Sequence, residues 1–443
     1  MSKWLNKVSY TRIIALSFFL VILTGSILLT LPIASAEGVW TPFYNALFTA
    51  TSATCVTGLV VYDTATYWSL FGQIVILIMI QVGGLGFMTI ISMFSIFLRR
   101  KISLNERKLL MQSAGNMRLS GIVRLVKGIV TCTAVFEVTG SVVLATRFVP
   151  QFGWGRGIYY AVFHAVSAFC NAGFDLMGNF RSFCAYEGDF LVSITLMLLI
   201  ISGGLGFLVW NEIYNKKWNV SEYSLHAKIV LIATGILILL GWIGFLVFEN
   251  NGNLAGYTIP KKLLSAAFMS VTTRTAGFNT MNIAGLSHSG CILAMILMFI
   301  GGSPGSTAGG VKTTTAAVII FAIVNMSKGN DDVTIYKKRL EDSVVKHAAV
   351  IVIVYLLGIL SAGMAICALE SYDITAVMFE IVSAAGTVGL SQGITTGLSM
   401  VSKLIIIVLM YGGRIGGLSL LMVFREKAKT APLHRPTEKI LIG

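Results

Sequence analysis

Thr54-Cys55-Val56-Thr57-Gly58, Cys170-Asn171-Ala172-Gly173, Arg274-Thr275-Ala276-Gly277 and Gly386-Thr387-Val388-Gly389 are four short stretches that end alike. Each closes on a glycine among small residues, and the next residue is Leu59, Phe174, Phe278 or Leu390. The glycines are spaced by 115, 104 and 112 residues, so one unit recurs four times. Four equivalent elements in an apolar chain suggest a ring about an axis. A ring of backbone carbonyls on such an axis replaces the water shell of a monovalent cation. Glycine reaches positive φ without strain, which lets successive carbonyls point the same way. The small neighbours Thr57, Ala172, Ala276 and Val388 let four strands approach one another.

Composition puts these stretches in a membrane. Of 443 residues, 56% are hydrophobic and 12% charged, about half the charge of a soluble domain. Mean hydropathy is +0.82. Apolar runs near residues 13–31, 70–98, 128–146, 190–210, 229–248, 291–300 with 315–324, 348–369 and 404–424 make eight spans the natural count. The net charge of +14 does not imply a nucleic-acid partner, because it is spread over every second loop. Segments 1–12, 99–127, 211–228, 325–346 and 425–443 hold 24 of the 33 Lys and Arg. The opposite side holds Arg147, Arg156, Arg181, Lys261 and Lys262. The positive-inside rule then places both termini in the cytoplasm. Ala34-Ser35-Ala36 looks like a signal-peptide cleavage site, but the uncharged run from Ile13 to Ala36 is too long for one. It is read as a retained first span. The six cysteines show no metal or redox spacing. Cys170 and Cys184 can approach each other on the outer side, with a disulfide as the minor reading.

The predicted fold class is an all-α polytopic membrane protein with eight transmembrane helices. They form four M1–pore helix–M2 repeats with pseudo-fourfold symmetry around a central ion pore. The repeats cover 12–98, 123–213, 226–325 and 343–424, followed by a cytoplasmic tail at 425–443. In each, a short segment precedes the glycine motif: 40–54, 157–169, 260–273 and 372–385. These are too short to cross a bilayer, which takes about 20 residues, so they enter and turn back. The second spans carry glycine pairs: Val82-Gly83-Gly84-Leu85-Gly86-Phe87, Ser202-Gly203-Gly204-Leu205-Gly206-Phe207, Ile300-Gly301-Gly302 and Tyr411-Gly412-Gly413-Arg414. The first glycine of each pair follows its motif glycine by 25, 30, 24 and 23 residues. The pairs read as close helix packing in lipid, or as hinges. All four units face the same way, unlike inverted transporter repeats.

The candidate selectivity filter is therefore Cys55, Val56, Thr57 and Gly58 with Cys170, Asn171, Ala172 and Gly173. Its other half is Arg274, Thr275, Ala276 and Gly277 with Gly386, Thr387, Val388 and Gly389. Short helices ending at the axis add partial negative charge there, which favours a cation without an acidic ring. A second candidate site interrupts the third repeat at 301–315, where five glycines and a proline break the helix. Broken backbone at membrane depth lines a cavity, so Gly302, Ser303, Pro304, Gly305, Ser306, Thr307, Ala308, Gly309, Gly310 and Lys312 are read as a gate. The stretch nearly matches a phosphate loop, but Val311 stands where lysine belongs and no strand precedes it. Arg414 lies inside the last span at a cost of about 3 kcal/mol, so it should meet carbonyls or a polar cavity, and it joins the gate. Arg274 is expected to point away from the axis toward an acid such as Glu380. Glu137 reads as a packed partner of a polar group, and His164 and Glu380 lie on pore helices. The outer acids Glu37, Asp63, Asp175, Glu187, Asp189, Glu249, Glu370 and Asp373 can concentrate cations. No nucleophile–base pair or metal cluster points to an enzyme.

The four single-glycine filters, the Gly-Gly-Leu-Gly-Phe second spans, the broken third-repeat span and Gly412-Gly413-Arg414-Ile415-Gly416 resemble the Trk/Ktr/HKT superfamily of potassium transporters. The bacterial Ktr membrane subunit is the most similar branch. The resemblance covers roughly residues 12–425. It implies K+ as substrate, bound at the filter carbonyls and taken up down its electrochemical gradient, with Na+ as activator. Four filter glycines go with potassium, whereas a serine in the first goes with sodium; a Na+-permeable transporter is the alternative. The resemblance implies that 302–310 gates together with Arg414. It also implies a multi-pass bacterial cell-membrane protein forming a homodimer. A cytosolic ring of RCK-type nucleotide-binding regulatory subunits would carry ATP or ADP, with no cofactor in this chain. Pro432, His434 and Pro436 make the tail irregular for the family.

Overall fold

Backbone polar groups buried in lipid must be satisfied within the chain, and helices do this locally. A computed structural model describes residues 10–86, 89, 122–217, 219–330, 332–336 and 338–416. Most of segments 1–12 and 99–127, the ends of units 12–98 and 343–424, and the tail 425–443 lie outside the described residues. The described residues hold fourteen α-helices. The first unit has α1 (Tyr10–Thr30), α2 (Phe43–Thr54) and α3 (Leu70–Leu85). The second has α4 (Ile122–Phe152), α5 (Trp154–Phe169), α6 (Phe190–Leu205) and α7 (Phe207–Lys216). The third has α8 (Leu225–Phe248), α9 (Ile259–Thr272), α10 (His288–Phe299) and α11 (Thr313–Ser327). The fourth has α12 (Asp342–Leu369), α13 (Ile374–Gly386) and α14 (Met400–Ile415). A two-residue hairpin, β1 (Thr334–Ile335) with β2 (Lys338–Arg339), joins α11 to α12 and departs from an all-helical fold.

Helices α1, α4, α8 and α12 are long and apolar enough to cross a membrane. They expose large apolar side chains such as Leu20, Val142, Leu240 and Met364, a surface suited to lipid. The short helices α2, α5, α9 and α13 lie at the opposite extreme. Each buries a phenylalanine, Phe48, Phe163, Phe268 or Phe379, at no more than 1% exposure. Each following apolar helix starts on a side-chain cap. Ser69 accepts from the Gly72 N–H, Asp189 from Leu191 and Val192, Ser287 from Gly290, and Ser399 from Ser402. One such cap contributes about 1 kcal/mol and fixes where the chain turns back into the helix.

Packing between units is sequential and closes on itself. Helix α3 packs on α5, α6 on α9, and α10 on α13. Helix α14 of the last unit packs on α2 of the first. Between helices in lipid the hydrophobic driving force is weak, so close backbone approach carries much of the association. Glycines supply it. A methyl group on Gly83 would collide with the Thr54 carbonyl, on Gly203 with that of Phe169, and on Gly413 with that of Ala385. All three carbonyls belong to the last turn, or its edge, of a short helix.

Two sequence expectations are corrected by these contacts. The second span of unit two does not run straight over 190–210: α6 and α7 meet at 95°. The break falls on Gly206, at φ 93° and ψ 141°, and Gly86 (81°, 133°) and Gly416 (90°, 136°) end α3 and α14 in the same conformation. That region of backbone space is open to glycine and closed to other residues. Counting back from these breaks also shifts the fourth unit by one residue. Gly413, not Gly412, matches Gly83 and Gly203, and Arg414 occupies the place of Gly84 and Gly204.

Gly203→Ala is expected to destabilise the protein by about 2 kcal/mol through overpacking against rigid backbone. Gly235→Ala, where no atom lies within 4 Å of the new methyl, should be neutral or stabilising. Thermal melting in detergent, read by gel filtration, compares the two. Equal melting temperatures would contradict the packing role.

Candidate functional site

The four glycine motifs follow the C-termini of the four short helices and share one backbone geometry. The motif glycines Gly58, Gly173, Gly277 and Gly389 have φ of 91°, 71°, 82° and 95°. Two residues earlier, Val56, Asn171, Thr275 and Thr387 are left-handed at 50°, 57°, 72° and 52°. A left-handed non-glycine residue costs roughly 1–2 kcal/mol, so finding four at one position reflects a constraint imposed from outside each strand. The intervening N–H groups fold back onto the helices: Thr57 to Ser52 O at 2.8 Å, Ala172 to Ser167 O at 2.8 Å, Ala276 to Thr272 O at 2.9 Å and Val388 to Ser383 O at 2.8 Å. Hydroxyls add to this in two motifs, Ser52 Oγ accepting from Gly58 N and Ser383 Oγ from Gly389 N.

The motifs touch in cyclic order. A methyl group on Gly58 would lie 2.5 Å from the Ala172 carbonyl oxygen, on Gly173 2.7 Å from that of Ala276, and on Gly277 2.5 Å from that of Val388. The circle closes where Gly389 faces the carbonyl of Thr57. The structure thus brings together all four predicted motifs, one carbonyl of each against the next glycine. The glycines line a cavity of about 320 Å³, walled also by Asp63, Asp175, Ser182, Asn279, Ser391 and Gln392.

The loop between α10 and α11 lies at the other end of the motifs, against the left-handed residues. Gly309 faces the Thr387 side chain, and a methyl group on Gly310 would lie 3.2 Å from the Gly386 carbonyl oxygen. Thr307 Oγ1 donates to Phe169 O and to Asn171 Oδ1, both at 3.1 Å. Ser303 N donates to Gly204 O at 3.0 Å and Thr307 N to Gly203 O at 3.3 Å. The loop's own carbonyls are held as well: Lys312 Nζ donates to Ala308 O at 2.6 Å and Gly309 O at 3.3 Å. Ser306 Oγ donates to Ser303 O, and Phe207 N to Gly305 O, at 2.6 and 3.0 Å. Arg414 binds this loop to the first unit. Its guanidinium donates to Thr307 O and Gly83 O, and to Gly84 O at 3.1 Å. Three carbonyls from two elements answer the cost of a buried arginine without a carboxylate.

Comparison with known proteins places this architecture. The family model described as "Cation transport protein", TrkH, matches residues 8–431. The chain belongs to the TrkH family of cation transport proteins. It is 40% identical to the potassium/sodium uptake protein NtpJ of Enterococcus hirae, over 99% of this chain and 98% of that one. It is 39% identical to the Ktr system potassium uptake protein B of Vibrio alginolyticus, over 98% and 94%. Against the Ktr system potassium uptake protein B of Bacillus subtilis the identity is 35%, over 100% and 98%. The crystal structure of the potassium transporter TrkH from Vibrio parahaemolyticus shares the fold, with a TM-score of 0.70 at 17% identity over 92% of this chain and 84% of that one. The chain is accordingly a helical membrane protein of a transporter family.

Within this TrkH-family chain, other charged residues serve the scaffold. His164 accepts from Leu176 N at 3.0 Å through Nε2, with Nδ1 on Tyr160 O at 2.7 Å, so it pins the strand leaving the second motif. Glu380 does the same for the fourth through Thr395 Oγ1. It does not meet Arg274, which instead donates to backbone carbonyls of Thr234 and Gly301. The expected pair fails because Glu380 faces the residues after its motif while Arg274 faces the loop. Glu137 accepts from Gln81 Nε2 at 3.3 Å, a polar partner across two helices. Of the outer acids, Asp63 and Asp175 line the cavity. Asp189 pairs with Arg147 at 2.6 Å and Glu187 with Lys261 at 2.5 Å. All six cysteines are free, so Cys170 and Cys184 form no disulfide. Sequence reasoning missed the side-chain role of Asn171, which also reaches Arg274 O and Thr275 Oγ1 at 3.4 and 3.3 Å. Its signal is an amide at the position where the other motifs carry the β-branched Val56, Thr275 and Thr387.

Burial, with Asp63 nearby, pushes the Asp175 carboxyl up to about 6. A raised acid is neutral below its pKa, so acidifying the solution at the cavity from pH 7.5 to 5 removes a negative charge from its wall. At roughly 7 Å in water that charge is worth about 0.6 kcal/mol, close to a threefold change in local cation occupancy. Cation transport at limiting cation concentration should fall accordingly with a midpoint near 6, and Asp175→Asn should flatten the profile. An unchanged midpoint in that variant would rule the residue out.

Proposed function

We propose that this chain is the membrane subunit of a channel-like potassium uptake system. It moves K+ into a bacterial cell down its electrochemical gradient. The observation that carries this reading is the closed circle of four motif glycines, each against the carbonyl of the next motif. In the proposed pore, four M1–pore helix–M2 units with eight spans surround one pseudo-fourfold axis, and both termini are cytoplasmic. The carbonyls of all four motifs replace the hydration shell of K+. Ending α2, α5, α9 and α13 at the circle adds partial negative charge where the ion sits. The 320 Å³ cavity is the outer vestibule. The 302–310 loop is the gate beneath the filter, and Lys312 and Arg414 hold it shut by occupying the carbonyls of Thr307, Ala308 and Gly309.

Regulation is proposed to come from outside the chain. Two relatives are named as proteins of a Ktr system, which supports a partner subunit; the proposed assembly is a homodimer seated on a cytosolic ring of RCK-type nucleotide-binding subunits, where ATP or ADP acts. Na+ is proposed as an activator. The relative named for potassium and sodium uptake makes a Na+-permeable transporter the competing reading, and flux ratios separate the two.

Expression in a host lacking potassium uptake should restore growth at low K+; failure despite membrane insertion would count against the function. Gly58→Ser puts a side chain at φ 91° against the Ala172 carbonyl. It should lower the K+/Na+ flux ratio in proteoliposomes about tenfold, or 1.4 kcal/mol. An unchanged ratio would remove the filter assignment. Deleting 302–310 should raise K+ flux, and lower or equal flux in stable protein would remove the gate.

A further inference from the structure

Behind the third motif a buried guanidinium sits without an acid. Arg274 is 7% exposed, and no ion pair found among the described residues includes it. Its Nη1 donates to Thr234 O on α8 at 3.2 Å. Its Nη2 donates to the carbonyl of Gly301, which opens the intramembrane loop, at 3.3 Å. Its own carbonyl accepts from Asn171 Nδ2 at 3.4 Å. One residue thereby touches the second motif, the helix behind the third, and the start of the loop. A planar guanidinium holds two carbonyls on separate elements in one fixed geometry, which the point charge of a lysine does not.

A second observation concerns the space beside it. A cavity of about 10 Å³ is lined by Arg274, Thr234, Ile200, Gly204 and Gly302, room for one water. Arg274 Nε and Thr234 Oγ1 are both buried without a hydrogen-bond partner. Buried polar atoms in that state are costly, and one water accepting from Nε and bonded to the hydroxyl would satisfy both.

We propose that Arg274 is a positioning residue that ties the third filter segment to the first residue of the intramembrane loop, with one trapped water completing its hydrogen bonds. The inference rests on the reading of that loop as the gate. Two arginines then tie down the loop besides its backbone bonds, Arg274 at Gly301 and Arg414 at Thr307. Movement of the loop at Gly301 is transmitted to Thr275–Gly277, so selection and gating share a lever.

The test measures K+ and Na+ flux in proteoliposomes for the parent, Arg274→Gln, the 302–310 deletion and their combination. With the loop present, Arg274→Gln should raise the Na+/K+ flux ratio about tenfold; with the loop deleted, its further effect should fall below about twofold, the non-additivity of coupled sites. Arg274→Lys should be intermediate. Equal factors in both backgrounds, or no change in either, would overturn the link while leaving the gate intact. A deletion that does not raise flux overturns the gate and this inference together. Should Arg274→Gln not fold, the near-isosteric Thr234→Val removes only the hydroxyl. Hydrogen exchange of the peptide around Gly301–Ser303 should then speed up while that of α12 stays constant, and equal exchange at 301–303 would overturn the proposal.

Discussion

Four backbone contacts, Gly58 on Ala172, Gly173 on Ala276, Gly277 on Val388 and Gly389 on Thr57, set the terms for everything around them. Bringing four strands this close forbids a Cβ at each glycine and forces Val56, Asn171, Thr275 and Thr387 into the left-handed region. That strain, roughly 1–2 kcal/mol at each site, persists because the short helices over-determine the strands. The N–H groups are returned to helix carbonyls, and Phe48, Phe163, Phe268 and Phe379 anchor the helices in the core. The long helices then have a single task, to cover this polar centre with an apolar surface.

The units are alike at their motif glycines and unlike where their second helices end. In units one, two and four the helices α3, α6 and α14 each end at a glycine near φ 90°. In unit three it gives way to a loop whose backbone is bonded to Gly203 and Gly204 of unit two. In unit four the place of Gly84 and Gly204 is taken by Arg414, and the guanidinium reaches both the loop and the first unit. An arginine in place of one glycine of a repeated packing site turns a backbone contact into a side-chain link between the loop and the first unit.

Backbone necessity was the legible part of the sequence. A glycine that must adopt positive φ leaves a fixed mark, so the four motifs, the short helices before them and the broken third span could be located from residue types alone. Side-chain direction was not legible. Nothing in the order of residues says that Arg274 turns toward Gly301 rather than Glu380, or that Asn171 spans two motifs and the loop. The glycine pairs were visible, but their register was not. Gly412-Gly413 looks equivalent to Gly83-Gly84, and only the break at Gly416 shows that Gly413 takes the packing position. The 95° bend at Gly206 was hidden for a related reason, since one glycine in an apolar run reads equally well as packing or as a hinge.

In the proposed pore a dehydrated monovalent cation sits within the circle of motif carbonyls. Anomalous diffraction from crystals soaked in Rb+ or Tl+ tests it directly, because both ions substitute for K+ and scatter strongly. Anomalous density is expected on the axis among the carbonyls of Thr57, Ala172, Ala276 and Val388. Density confined to the cavity beside Asp63 and Asp175, with none inside the circle, would contradict it.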